Sequence, residues 1–306
     1  MMRGHLNYHI AKWLLVVIVL TTILILSVCA CGTTPPPTTT LASVTFPDAN
    51  LETAIRETID KPEGPISTSD LEAIILLDAP ERGISDITGL EYCINLERLD
   101  LTDNIISDIS PLTGLTNLWW LYLFNNNISD TTPLAGLSNL QALSIWDNYI
   151  SDISPLAGLS KLQRLNIGRN DINDISALAS LSNLEWLHLE DSDIHSITPL
   201  AGLINLEILH LGDNNISDIS PLARLIRLEW LWLNSNNISD ISDLTSLINL
   251  KVFDLYDNNI SDISALVDNA GLTGGDTVIL KYNPLSAESI NNYVPQLEAR
   301  GVDVYD

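Results

Sequence analysis

A 22-residue sequence repeat is the feature that most limits the folds open to this chain. From Leu96 onward one pattern returns at this spacing, as in LERLDLTDNIISDISPLTGLTN followed by LWWLYLFNNNISDTTPLAGLSN. The pattern persists through a copy that begins at Leu250. One unit of this length cannot bury its own apolar face, so each unit must stack on its neighbours. The sequence therefore predicts a solenoid.

Each repeat begins with a short segment of alternating apolar residues. Leu121 and Leu123 alternate with Trp120, Tyr122 and Phe124, which is the period of a strand with one buried face. Stacked copies of this strand predict a parallel sheet. An asparagine then recurs at one position, where its amide can pair with backbone groups in a turn: Asn126, Asn148, Asn170, Asn214, Asn236 and Asn258. Too few residues remain for a long helix, so a 3₁₀ or irregular return is predicted, with Ser154 and Pro155 as cap and first position.

The pattern LxxLxLxxN is the signature of leucine-rich repeats. Together with the downstream ISDISPLxxL segment, it resembles the 22-residue bacterial class typified by internalins. The resemblance implies an α/β solenoid: a curved leucine-rich-repeat horseshoe with a parallel concave β-sheet, a 3₁₀ or irregular convex side, and helical N-terminal and C-terminal caps. It divides the folded part into a cap with an irregular first repeat (45–95), eight 22-residue repeats (96–271), and a degenerate last repeat with a C-terminal cap (272–306).

The two ends of the array depart from the repeat. Residues 46–59 carry apolar side chains at helical spacing and predict a capping helix, and a three-residue insertion is expected around 79–82. A second helical segment is predicted from Ser286, broken into two pieces by Pro295, and residues 302–305 are expected to close the edge of the sheet. The expected apolar positions of the two segments are Leu51, Ala54, Ile55 and Ile59, and Ile290, Tyr293 and Leu297.

The N-terminus has the composition of a targeting segment. Arg3 and Lys12 precede an uncharged apolar run, and the sequence Val-Cys-Ala-Cys-Gly that follows resembles a bacterial lipobox. This resemblance implies a lipoprotein-type signal peptide (1–30), lipidation of Cys31, and a Thr/Pro-rich tether (31–44). We therefore expect a lipid-anchored protein on the extracytoplasmic face of a bacterial membrane. An uncleaved N-terminal membrane helix is the alternative.

Charge and cysteine content argue against nucleic-acid binding and against an intramolecular disulfide framework. Asp and Glu number 39 against 14 Lys and Arg, giving a net charge of −25 that would repel nucleic acid. With Cys29 removed and Cys31 lipidated, Cys93 has no intramolecular partner, and we interpret it as a buried structural thiol.

Aromatic side chains occupy the outward positions of the predicted strands. The inward columns are already filled by Leu and Ile, so the rings should form a surface rimmed by aspartates, including Asp103, Asp147, Asp191, Asp213 and Asp257. Cross-strand stacking between rungs is the alternative role. The predicted partner-binding residues are Trp120, Tyr122, Phe124, Trp146, Trp186, His188, His210, Trp230, Trp232 and Tyr256.

These features predict a surface-anchored binding module without a catalytic site or cofactor. A protein or peptide is the expected partner; a glycan-binding protein, or a structural envelope protein without a specific ligand, is the alternative. His188, His210 and Glu190 are weak candidates for a metal site, and incidental histidines are the favoured interpretation. A recurrent aspartate, exemplified by Asp152, invites a calcium interpretation, but turn capping explains it more simply.

Overall fold

A computed structural model describes residues 43–306 of the chain. The predicted signal peptide, Cys31 and nearly all of the tether lie outside these residues. Residues 43–306 form two sheets: a two-stranded antiparallel sheet, and a parallel sheet whose 11 strands follow in sequence order. The short sheet pairs β1 (Ser43–Val44) with β2 (Ile66–Ser67).

The parallel sheet contains one three-residue strand per repeat, and the strands from Leu76–Asp78 to Val252–Asp254 pair in the 22-residue register of the sequence repeat. Its strands are β3 (Leu76–Asp78), β4 (Arg98–Asp100), β5 (Trp120–Tyr122), β6 (Ala142–Ser144), β7 (Arg164–Asn166), β8 (Trp186–His188), β9 (Ile208–His210), β10 (Trp230–Trp232), β11 (Val252–Asp254), β12 (Thr277–Ile279) and β13 (Asp303–Tyr305). The predicted leucine-rich-repeat solenoid is confirmed.

The return segments on the convex side are short 3₁₀ helices, as predicted. They span Leu90–Tyr92, Ser110–Leu112, Thr132–Leu134, Ser154–Gly158, Ser176–Ser180, Thr198–Gly202, Ser220–Arg224 and Ser242–Ser246. The prediction of Ser154 as the capping residue is wrong by one step. Ser154 is the first helical residue, and Asp152 Oδ1 accepts a hydrogen bond from its N–H at 2.8 Å.

The core lies between the sheet and the 3₁₀ helices. The middle residue of each strand from β3 to β10 is a leucine, and β11, β12 and β13 carry Phe253, Val278 and Val304 there. Phe253 is fully buried. Isoleucines of the turn and leucines of the return segment complete the same continuous cluster. Each fully buried aliphatic side chain contributes about 1.5–3 kcal/mol relative to an exposed one. Stacking of the repeats therefore supplies the burial that one repeat lacks.

Buried asparagines join successive repeats. The Oδ1 atom of Asn148 accepts a hydrogen bond from the N–H of Ile128 in the preceding repeat at 2.9 Å. Its Nδ2 donates to the carbonyl oxygens of Leu123, Ile145 and Trp146. The same pattern holds for Asn104, Asn126, Asn170, Asn214, Asn236 and Asn258.

The N-terminal helix α1 (Ala49–Thr58) is confirmed, and Leu51, Ala54 and Ile55 are buried. A second short helix, α2 (Thr68–Glu72), follows. The expected insertion at 79–82 is wrong, because Leu76 pairs with Arg98 at the same 22-residue offset as later strands. The extra three residues lie between β11 and β12, where Val252 pairs with Thr277.

The C-terminal segment differs in detail from the prediction. After α3 (Ser264–Asp268) and β12, a π-helix (Ser289–Tyr293) runs directly into α4 (Val294–Ala299). Pro295 therefore does not break the segment, because the wider π turn precedes it. Ile290 is exposed rather than buried, and Val294 and Leu297 face the core. As predicted, β13 pairs with β12 and closes that edge.

Candidate functional site

The concave face carries the outward side chains in three parallel columns. In the first column, Trp120 pairs with Ala142, and Trp186 and Trp230 flank Ile208. In the second, His188 lies beside His210, which lies beside Trp232. Phe124, Trp146 and Tyr256 occupy equivalent positions two residues beyond the second column. The structure thus places all ten predicted side chains in the columns deduced from the sequence. Their role in binding a partner stays a prediction.

The first ring cluster comprises Trp119, Trp120, Tyr122, Phe124 and Trp146, on β5 and β6 and their flanks. Trp120 packs edge-on against Tyr122 with centroids 4.4 Å apart, and Trp119 stacks beside Trp120 at 6.4 Å. Arg98 lies over the Trp120 ring, 3.1 Å from its centroid. Cation–π attraction and dense packing therefore fix the orientation of Trp120.

The position of the Trp146 ring depends on a glycine. Phe124 meets the Trp146 ring edge-on at 6.3 Å, and Arg169 lies 4.8 Å from its centroid. A Cβ atom at Gly168 would come within 2.7 Å of the Glu190 carbonyl oxygen and 3.2 Å of the Trp146 ring. Because Gly168 has no side chain, the Trp146 ring can pack against it.

The second ring cluster comprises Trp186, His188, His210, Trp230 and Trp232, on β8 to β10. His210 is sandwiched between His188, with centroids 4.5 Å apart, and Trp232, at 3.7 Å and nearly parallel. Trp186 meets His188 edge-on at 5.8 Å, and Trp230 meets Trp232 edge-on at 6.1 Å. Stacking across rungs thus occurs, yet Trp230 keeps 41% of its surface exposed.

Small and polar side chains separate the two ring clusters. The first two columns carry Ala142 and Ser144 on β6 and Arg164 and Asn166 on β7. Ser144 is buried, and Arg164 is exposed. The first two columns therefore carry no aromatic ring on β6 and β7, between the two ring clusters.

His188, Glu190 and His210 come together within the second ring cluster. One potential ligand atom from each lies within 4.8 Å of the others. His188 Nε2 is hydrogen-bonded to Glu190 Oε2 at 2.8 Å. Burial, with a smaller contribution from the neighbouring His188, lowers the pKa of His210 to about 3. The His210 ring is therefore neutral at physiological pH and keeps a nitrogen lone pair that can bind a cation.

The C-terminal part of the concave face is acidic and phenolic. Tyr256 packs edge-on against Tyr282 at 5.0 Å. Burial raises the pKa of Asp254, with Asp213 adding a smaller repulsion, although the Tyr256 N–H donates a hydrogen bond to it. The second ring cluster is therefore bordered by carboxylates, whereas arginines flank the first.

The acidic rim has a structural origin that the sequence analysis missed. One residue per repeat turns in the left-handed region, with φ near +50° to +60°. Asp and Asn tolerate this conformation better than other residues with side chains. These positions include every predicted rim aspartate: Asp103, Asp147, Asp191, Asp213 and Asp257. The signal was present in the sequence as the residue before each column asparagine.

The repeat that carries His188 and Glu190 lacks the usual asparagine. Ser192 takes its place, and the buried Ser192 Oγ has no hydrogen-bond partner among the described residues. The backbone nevertheless keeps the standard turn, with Asp191 at φ +52° and Asp193 N–H donating to Ile172 O at 3.1 Å. The loss of the asparagine therefore leaves the course of this turn unchanged.

The recurrent aspartates cap the 3₁₀ helices. Asp130, Asp152, Asp218 and Asp240 each accept a hydrogen bond from the N–H two residues later. Hydrogen bonds from the Ser or Thr at that position hold the pKa of each carboxyl below its ordinary value. The capping role proposed for this column is visible in these contacts.

Cys93 is fully buried, as the sequence analysis expects for a structural thiol. Burial, aided by the charge of Glu91, raises the pKa of its thiol to about 12. The thiolate, which is the reactive form, is therefore scarce at neutral pH.

Within residues 43–306, no helix combines the length and the apolar composition needed to cross a membrane. Comparison with protein-family models gives matches to the leucine-rich repeat over residues 138–194, and to paired leucine-rich repeats over 116–158, 182–224 and 226–268. Among curated protein sequences, none matches the chain significantly.

Several solved structures resemble the chain. Internalin C2 of Listeria monocytogenes is 40% identical, with a TM-score of 0.67, covering 69% of this chain and 94% of that one. An internalin (inlF) of the same species is 31% identical, with a TM-score of 0.60, covering 85% and 91% respectively. A leucine-rich-repeat protein of Leptospira interrogans shares the fold at 23% identity and a TM-score of 0.70, covering 77% of this chain and 62% of that one.

Such solenoids present extended concave surfaces for binding rather than catalytic clefts. Three findings lead to one assignment: the register of the strands, the buried asparagines that join successive repeats, and the likeness to two internalins over most of their lengths. The chain belongs to the internalin-like bacterial leucine-rich-repeat proteins, a class of protein-interaction modules.

Proposed function

We propose that the concave face binds a protein or peptide partner, with the two ring clusters as anchors. The observation that carries this proposal is the position of the rings: they face one direction on the rungs from β5 to β10 and are only partly covered by one another. Trp and Tyr are the residues that most often dominate binding energy at protein interfaces. The parallel sheet beneath them is rigid, so little conformational entropy is lost when a partner docks.

The spacing of the clusters favours an extended partner segment. Trp120 and Trp186 are separated by three rungs, and at about 4.8 Å per rung this gives about 14 Å. An extended peptide advances about 3.3 Å per residue, so four or five residues link the two anchors. Arg98 and Arg169 flank the first cluster, whereas Glu190 and Asp254 border the second. The partner therefore combines apolar anchors with charges of both signs.

A selection from a displayed random-peptide library tests this function. The native chain is compared with a variant carrying Trp120→Ser and Trp230→Ser, which removes one ring from each cluster. A control variant carries Tyr149→Ser and Ile226→Ser, which lie off the concave columns and are 62% and 54% exposed. We expect enriched peptides that bind the native chain and the control but not the ring variant.

The same preparations can be applied to a glycan array. Saturable glycan binding that needs both tryptophans, without peptide enrichment, would replace the proposed partner with a carbohydrate. Absence of both kinds of binding in all preparations would assign the rings to sheet stabilisation and contradict the proposal.

We also propose that the chain is held at the extracytoplasmic face of a bacterial membrane by a lipid on Cys31. The supporting observation is the lipobox-like sequence that ends at Cys31. Two acyl chains give stable anchoring, whereas one gives only marginal binding. Metabolic labelling with a clickable palmitate analogue in a bacterial host tests the proposal. The native chain should be labelled and Cys31→Ser should not; equal labelling of both would exclude Cys31.

A further inference from the structure

His188, Glu190 and His210 form a compact set of metal-binding side chains on two neighbouring strands. His188 and His210 are directly paired in register between β8 and β9, and Glu190 points from the same face two residues beyond His188. The three potential ligand atoms lie within 4.8 Å of one another. Within residues 43–306, this is the one group of three or more His, Cys, Asp or Glu side chains that meets this criterion.

The aromatic neighbours hold both imidazoles in place. His210 lies between His188 and Trp232, with centroid distances of 4.5 and 3.7 Å and interplanar angles of 30° and 12°. Trp186 meets the edges or faces of both imidazoles at 5.8 and 6.5 Å. A site whose ligands are already oriented loses less entropy when a metal binds, so this packing favours binding.

The distances match a tetrahedral ion. With metal–ligand bonds of about 2.0–2.1 Å, neighbouring ligand atoms of a tetrahedral Zn²⁺ site lie about 3.3 Å apart. His188 Nε2 and Glu190 Oε2 are 2.8 Å apart, slightly closer than this, and the ligand atoms of all three side chains lie within 4.8 Å of one another. The three ligand atoms are therefore already close to the spacing that a tetrahedral ion needs.

The chemical environment favours a cation of the Zn²⁺ class. Two imidazoles and a carboxylate are a donor set that Zn²⁺ accepts with its fourth position open, whereas Ca²⁺ and Mg²⁺ prefer oxygen ligands. Asp191 and Asp213 follow on the same two repeats and add negative charge nearby.

Asn166 provides an unused hydrogen-bond acceptor on the strand next to His188. It lies beside His188 in the register of β7 and β8. Its Oδ1 atom is buried and has no hydrogen-bond partner among the described residues. Metal-bound imidazoles usually donate their second N–H to an oxygen acceptor, which fixes the tautomer. Asn166 places such an acceptor on the rung adjoining His188.

We propose that His188, Glu190 and His210 bind a single transition-metal ion of the Zn²⁺ class on the concave face. One coordination position is left open to water or to a donor from a bound partner. The proposal does not depend on the identity of the partner, or on peptide binding, because the three ligands belong to this chain.

Spectroscopic titration with Co²⁺, followed by displacement with Zn²⁺, tests the site. The full chain is used with His5→Gln and His9→Gln in every preparation, so that only histidines of the described region remain. Tetrahedral Co²⁺ gives intense visible absorption, which reports on coordination rather than on loose surface binding. We expect one saturable Co²⁺ site that one equivalent of Zn²⁺ empties.

Matched variants locate the ligands. His188→Gln and His210→Gln should each weaken Zn²⁺ binding by more than about 100-fold and abolish the Co²⁺ absorption. His195→Gln is the control, since its side chain is 67% exposed and lies outside the group. Glu190→Gln provides a further variant that leaves the stacked rings intact, so a loss of binding there cannot come from a collapsed stack.

Two results would overturn the proposal. One is absence of a saturable tetrahedral Co²⁺ spectrum in the native chain. The other is equal binding by the native chain and the three ligand variants, which would mean that the metal binds elsewhere on the chain. Circular dichroism spectra of all variants establish that each is folded when its affinity is measured.

Discussion

Replacing Asn148 with serine should destabilise the solenoid by about 2–4 kcal/mol. The Asn148 amide accepts one hydrogen bond, from Ile128 N–H at 2.9 Å, and donates to three backbone carbonyls. All three carbonyl oxygens have another donor: Asn126 Nδ2 for Leu123, Asn170 Nδ2 for Ile145, and Asn125 N–H for Trp146. The Ile128 N–H has no such replacement.

The expected magnitude follows from this difference. A buried N–H left without a partner costs about 1–3 kcal/mol, and each lost bond to a carbonyl that keeps another donor costs less than about 1 kcal/mol. The smaller serine also leaves a void. One repeat of the chain already has serine in the position of the column asparagine: Ser192, whose buried Oγ has no hydrogen-bond partner among the described residues. The reverse change, Ser192→Asn, should therefore stabilise the chain by about 1–2 kcal/mol by supplying an acceptor for Ile172 N–H.

Equilibrium unfolding in urea, followed by far-UV circular dichroism, measures both changes. We expect the midpoint to fall for Asn148→Ser and to rise for Ser192→Asn, while the slope stays constant because the same surface is exposed on unfolding. Asn127→Ser is the control, since Asn127 is exposed beside the same turn. The reasoning would be refuted if Asn148→Ser lowered the free energy of unfolding by less than about 0.5 kcal/mol, or if Ser192→Asn did not raise it. Either result would mean that the hydrogen bonds of the column asparagines contribute little to stability.

Three further changes have defined outcomes. Burial of Asp48 opposes its ionisation, but hydrogen bonds from Ser85, Leu51 and Asp86 outweigh burial and hold the pKa of its carboxyl below 3.8. The stabilisation from the ionised carboxylate is thus fully present above the pKa of the unfolded state and is lost as the pH falls through the pKa of the folded state, so Asp48→Asn should lower stability by about 1–2 kcal/mol at pH 7. The same change should flatten the acid dependence of thermal unfolding, and an unchanged pH profile would contradict this. Gly168→Ala should cost about 1–3 kcal/mol and shift tryptophan fluorescence through Trp146, because the new Cβ meets the Glu190 carbonyl oxygen; an unaltered spectrum would show that the ring has room to spare. Phe253→Ala should cost about 3–5 kcal/mol in urea unfolding, and a cost under 1 kcal/mol would indicate that the core collapses around the void.

The sequence predicts most of the fold because one physical rule repeats in every unit. Leu121 and Leu123 face the core because alternate residues of a strand lie on the same face. The 22-residue register then places the equivalent residues of the other repeats on that face. The first repeat was misjudged because residues 79–82 lack the consensus leucine and asparagine. In the structure, Asn104 Oδ1 reaches back to the N–H groups of Arg82 and Ile84, so the turn forms without its own asparagine.

The candidate site was predictable in position but not in contacts. Column membership follows from the repeat, so the sequence places His188 beside His210. The stacking of the rings depends on side-chain rotamers, which are set by neighbouring residues that differ from repeat to repeat. The contact between Arg98 and Trp120 occurs in one pair of repeats, so the periodicity of the sequence does not predict it. The sequence pattern assigns the aspartates of the rim, such as Asp191, to binding, whereas the structure shows that they lie in a left-handed turn that favours such residues.

One repeat departs from the stabilising pattern where the candidate metal site lies. Ser192, which lacks the asparagine bonds, is two residues beyond Glu190, and His188 and Glu190 belong to the same repeat. Packing alone gives no reason for this substitution, because asparagine fits the column in the repeats on both sides. The backbone course is nevertheless unchanged, since the neighbouring repeats hold β8 in register. A solenoid tolerates such a defect because each unit is stabilised by its neighbours, and this tolerance allows the repeat to carry polar and histidine side chains that would not fold as an isolated unit.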